Sequence, residues 1–107
     1  MISMLLAVVL ANGLEAEWRE VSVRFMLWGD GAFRMTEWGI VEVPPLGTGV
    51  ERTYHTDYEQ ELTFDRVLID GAEITVDRTT PGTVRWSATP GTYRYHIEST
   101  VTGAVVP

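Results

Sequence analysis

Apolar and polar residues alternate with a period of two along most of this chain from Trp18 onward. The clearest stretch is residues 91–105, GTYRYHIESTVTGAV. Tyr93, Tyr95, Ile97, Ser99 and Val101 share one side of an extended chain; Thr92, Arg94, His96, Glu98 and Thr100 share the other. Period two with aromatic and β-branched residues predicts a strand with one face on a core and one in water. Upstream, Val21, Val23, Phe25 and Leu27 alternate with Ser22, Arg24, Met26 and Trp28, a first long strand. Gly29-Asp30-Gly31 is a tight-turn signal, because Gly and Asp tolerate positive φ. Residues 32–43 return as a second strand with Phe33 and Met35 on one face, and Gly39 predicts a bulge or bend. Pro44-Pro45 ends that strand.

The next stretch, to about Gln60, reads as a long polar loop in which residues 50–54 add at most a short edge strand. Residues 61–69 form a strand whose phase slips. Leu62 and Phe64 share one parity and Val67 and Ile69 the other, so a bulge is expected near Asp65-Arg66. Asp70-Gly71 is a second hairpin turn, followed by Ile74 and Val76 facing inward. Thr80-Pro81-Gly82 is a third turn, and Val84, Trp86 and Ala88 share a face beyond it. The expected fold is therefore all-β: an antiparallel β-sandwich, immunoglobulin-like or a small barrel, of six to seven strands. Trp86, Tyr93, Tyr95, Phe25 and Phe33 are its expected core aromatics.

The N-terminal residues depart from this pattern. Residues 2–11, ISMLLAVVLA, are apolar except for Ser3. That is too short for a membrane-spanning helix, which needs about 20 residues, but it fits the apolar core of a secretory signal. No Arg or Lys precedes it. The alternatives are an apolar first strand, or a segment that pairs with another molecule, with residues 1–13 as the donor. The expected division is residues 1–16 as a signal-like or strand-donor segment and residues 17–107 as one β-sandwich domain.

Composition narrows the function classes. The 107 residues carry a formal net charge of −7, every basic side chain but the histidines is Arg, and there is no Cys. Disulfides and thiolate metal sites are excluded. The negative balance argues against nucleic acid and anionic membrane surfaces. There is no nucleophile elbow, no phosphate loop, and no Lys for Schiff-base chemistry.

The remaining chemical candidates are few. His55, Asp57 and Glu59 alternate and are a weak divalent-metal candidate beside the plainer reading of a solvated loop. Glu37 and Glu42 flank Trp38, the pattern of a small glycan-active enzyme if the two carboxylates stand about 5 or 9 Å apart. Scattered acids on a strand face are far commoner. Trp28, Trp38, Tyr93 and Tyr95 are candidates for an exposed aromatic contact surface. No cofactor is expected.

Three motifs in order carry a resemblance. They are VSVRFMLWGDGAFRMTE (residues 21–37), FDRVLIDGAEI (residues 64–74) and TPGTYRYHIESTVTGAV (residues 89–105). Together they resemble the N-terminal domain of a family of bacterial membrane proteins known as domain of unknown function 2207. Gly91, Tyr95, Ile97 and Val101 match its last strand, and Ser99 departs from it. The resemblance implies a signal peptide, an extracytoplasmic β-domain, and membrane attachment only through a segment absent from this chain. It also implies a domain incomplete at its C-terminus, with residues 93–101 as an open edge strand. The expected function is that of a non-catalytic binding or scaffolding module of the cell envelope. Its partners would be a protein, or a second copy in a self-assembling subunit, meeting an open sheet edge.

Overall fold

The structure is a computed structural model and describes residues 6–10, 16–27, 32–56 and 60–103. The strands in chain order are β1 (Leu6–Leu10), β2 (Glu17–Leu27), β3 (Phe33–Val43), β4 (Gly49–His55), β5 (Glu61–Ile69), β6 (Ala72–Ile74), β7 (Thr83–Ser87) and β8 (Gly91–Thr102). They form two antiparallel sheets rather than a closed barrel. The larger has the order β2-β3-β8-β5-β6 and the smaller β1-β4-β7. The all-β, antiparallel expectation holds among the described residues.

The two sheets meet through alternate residues of each strand. Phe33, Met35, Val41 and Val43 of β3 are buried with Tyr95, Ile97 and Val101 of β8 and Phe64 and Val67 of β5. Val50 and Tyr54 of β4 and Val84 and Trp86 of β7 close the core from the other sheet. The alternation expected for Tyr93 to Val101 is thus the observed one. The phase slip in β5 is also present, as a register shift between Phe64 and Arg66. Asp70 and Gly71 both take positive φ (51° and 85°), the geometry a tight hairpin demands.

Three expectations are corrected. The last strand is no edge: β8 lies in the middle of the larger sheet, paired to β3 on one side and β5 on the other. The long edge of that sheet is β2. Residues 50–54 belong to β4, which is the centre of the smaller sheet rather than an edge, because β1 and β7 flank it. Residues 6–10 pair as β1 with β4 of the same chain, as the alternative of an apolar first strand has it. Phe25, expected in the core, is half exposed (49%).

Gly39 meets its expectation indirectly. The bulge lies opposite it, in β2 between Arg19 and Ser22, where Glu20 takes φ 53°. A Cβ at Gly39 would stand 2.8 Å from the carbonyl oxygen of Arg19 and 2.9 Å from that of Glu20. The glycine lets the bulged backbone approach.

Candidate functional site

The chain's most concentrated chemistry is sealed between the sheets. Glu37 of β3 is 1% exposed and Arg52 of β4 is 4% exposed. Arg52 Nε donates to Glu37 Oε1 at 3.1 Å, a terminal guanidinium nitrogen donates to the other carboxylate oxygen, and the Tyr54 hydroxyl also donates to Glu37. The guanidinium carbon lies 4.2 Å from the Trp18 ring centroid, and Trp18 meets Tyr95 edge-on at 4.8 Å. Burial would lower the Arg52 pKa, but its hydrogen bond and charge contact with Glu37 outweigh it and hold Arg52 above its ordinary value. Burial, then the Glu37 charge, pushes the Tyr54 hydroxyl well above its ordinary range. Tyr95 is raised for the same reasons. The cluster ties one sheet to the other and is closed to substrate.

This geometry separates the two acids once paired as a candidate glycan site. Glu37 faces the core, whereas Glu42, five residues on and of opposite parity, faces out and pairs with Arg19 at 2.9 Å. They lie on opposite faces of one strand and cannot flank one bond. His55 is exposed at the end of β4. Asp57 and Glu59 lie outside the described residues, as does Trp28. Among the described residues no three His, Asp or Glu side chains converge on a cation position.

The aromatic candidates divide as well. Tyr95 is 2% exposed and belongs to the core, its inward slot lying opposite Gly39. Tyr93 is half-buried and fixed by its hydroxyl, which donates to the Thr89 carbonyl at 2.7 Å. Trp38, of the opposite parity, is exposed on the outer face of the larger sheet.

Two surfaces remain open, and both adjoin β2. The first is its outer edge, which has no strand neighbour among the described residues. Val23, Phe25 and Leu27 pair in register with Glu37, Met35 and Phe33, all core-facing. They therefore point to the core side of the sheet, yet are 46%, 49% and 54% exposed. Phe25 touches Phe33 at a centroid distance of 5.4 Å, and Met26 and Val21 are also exposed. Sequence reasoning found the alternation here but not its exposure, which depends on strand order. The second surface is the outer face around Trp38. There Arg24, Met26, Arg34, Thr36, Trp38, His96 and Glu98 line a concavity of about 470 Å³.

No family model, no curated protein and no solved structure matches this chain. Among the described residues no helix is long and apolar enough to cross a membrane.

Proposed function

We propose that this chain is a non-catalytic binding or scaffolding module of the cell envelope, working outside the cytoplasm, that docks a protein partner along the β2 edge. One observation carries the docking reading. An eleven-residue strand at the edge of its sheet has no second neighbour among the described residues and holds Val23, Phe25 and Leu27 half exposed on the core side. Such an edge accepts an extended segment by backbone hydrogen bonds, with alternate side chains setting the specificity. The envelope location rests on the apolar run of residues 2–11 and on the resemblance carried by the three hairpin motifs.

The partner can be a second copy. An antiparallel pairing of β2 with itself about Phe25 sets Phe25 against Phe25 and Val23 against Leu27, so its core side is wholly apolar. A register centred on Arg24 would oppose like charges and is disfavoured. Donation of residues 1–13 has less support, since Leu6–Leu10 already pair with β4. Catalysis by Glu37 or Glu42 has none in the geometry.

The edge is tested by installing a photo-crosslinking residue at position 25, with position 78 as control, in the native host. A discrete adduct at position 25 that Val23→Lys abolishes is expected; identical adducts at both positions would refute docking at β2. Because the chain has no Cys, Phe25→Cys separately reports self-pairing. Oxidation to a covalent dimer supports a second copy as partner. A monomer under oxidation leaves a different protein as the partner.

A further inference from the structure

We infer that the outer face of the larger sheet, around Trp38, binds a sparsely carboxylated polysaccharide. This face is opposite the core side of β2 and independent of docking there. Its residues follow from the pairing registers. Trp38 sits between Ser22 of β2 and His96 of β8; one row away Thr36 lies between Arg24 and Glu98, and on the other side Ile40 lies between Arg19 and Arg94. Trp38 is 39% exposed and forms the wall between two concavities of about 470 and 650 Å³. Both reach His96 as well.

The surrounding charges are ordered. Glu98 accepts from Arg66 at 2.9 Å and lies 2.9 Å from His96 Nε2, while Arg34 stands 3.6 Å away. Asp65 accepts from Thr100 at 2.8 Å and lies 3.9 Å from Arg34. These acids are thereby neutralised. Arg24 and Arg94 are exposed, and neither guanidinium forms an ion pair among the described residues. In a chain of net charge −7, two arginines without an ion pair among the described residues flank the exposed Trp38 ring. Glu20, at the rim of the larger concavity, is the opposing charge.

Three physical points select the ligand. Trp38 lies on a strand that is paired on both sides, to β2 and to β8. An extended peptide, which needs a free edge, gains no backbone hydrogen bonds there. A flat exposed indole instead suits the C–H face of a sugar ring, a stacking contact that needs no pocket. The two arginines stand diagonally across Trp38, roughly 17 Å apart from the strand spacing and rise. That separation suits carboxylates on scattered sugar units. A dense polyanion, with a phosphate every ~3.4 Å, would leave most of its charges between the two arginines without a partner.

The test is depletion of the full chain from solution by beads carrying dextran carboxymethylated on a minority of its sugars, with plain dextran, polyglutamate and single-stranded oligonucleotide beads beside them. Retention on the carboxymethylated dextran alone is expected. Trp38→Ala should weaken it about tenfold or more, the scale of losing one ring-stacking contact, and Trp38→Phe less. Arg24→Gln and Arg94→Gln should each weaken it several-fold and reduce its sensitivity to salt, whereas Glu20→Gln should strengthen it. Val23→Lys, at the edge, should leave it unchanged. Circular dichroism of each variant checks folding. Absence of retention, equal retention on plain dextran, polyglutamate or oligonucleotide, or retention indifferent to Trp38→Ala in a folded variant would each overturn the inference.

Discussion

Replacing Arg52 by Met tests whether Glu37 and Arg52 are a sealed pair. The substitution keeps most of the side-chain volume but leaves the Glu37 carboxylate buried between the sheets, with the Tyr54 hydroxyl still donating to it. Removing one partner of a buried ion pair costs about 3–5 kcal/mol, because the remaining charge is uncompensated. The guanidinium also leaves the face of Trp18, a contact worth up to ~2 kcal/mol when desolvated. Domains of this size are stable by roughly 5–15 kcal/mol, so Arg52→Met should lie near the edge of unfolding at 25 °C. Urea titration followed by tryptophan fluorescence reads the loss. Urea is preferred to guanidinium because it leaves the ion pair unscreened.

Removing the whole cluster should cost far less. In the triple variant Glu37→Leu, Arg52→Met, Tyr54→Phe, no charge is stranded and the Tyr54 hydroxyl leaves with its acceptor, so most of the loss should be recovered. The difference between single and triple variants measures the coupling. If Arg52→Met shifts stability by less than about 1 kcal/mol, water reaches Glu37 and the sealed-pair argument fails.

Gly39→Ala should destabilise by about 1–3 kcal/mol, as overpacking against rigid backbone does, and thermal melting would show it; an unchanged melting temperature would mean that the β2 bulge readily shifts. Arg66, chiefly, holds the Glu98 carboxyl below its ordinary value of 4.5 in the folded chain. The sign of its contribution follows: it is fully present above about pH 4.5 and fades as the pH falls through the lower folded value. Glu98→Gln should therefore flatten the acid limb of the melting temperature between pH 5 and pH 2, each taken as approximate, while a parallel curve would remove Glu98 as a contributor. Val23→Lys should change stability by less than about 1 kcal/mol, since the site is already half exposed, and a large loss in chemical denaturation would mean that β2 is better covered than its exposure indicates.

The strands easiest to read were those whose inward slots hold only apolar or small residues. Tyr93 to Val101 is the clearest, and the double positive φ at Asp70-Gly71 follows from residue type alone. Strand β4 was hard to read because Arg52 occupies the inward slot between Val50 and Tyr54, which breaks the apolar alternation. Glu37 does the same between Met35 and Gly39. Two opposite charges, each in a core-facing slot of a different strand, were the available signal that these strands face each other. The exposure of Val23, Phe25 and Leu27 had no local signal. It follows from where β2 falls in the strand order, which is set by pairings between residues far apart in sequence. Trp38 could be placed outward by parity, but its flanking arginines come from β2 and β8 and needed the registers.

The central position of β8 constrains how the chain folds during synthesis. Strands β3 and β5 each line up on β8 and not on each other, although β8 follows both in chain order. The β2-β3 and β5-β6 hairpins can form as they emerge from the ribosome, but each waits with one long side unpaired. Only when residues 91–102 are released can a single strand zip the two halves together. Such long-range closure is slow and leaves hydrophobic edges exposed in the meantime. Nascent chains stalled before β8 should therefore be the species that chaperones hold and proteases cut.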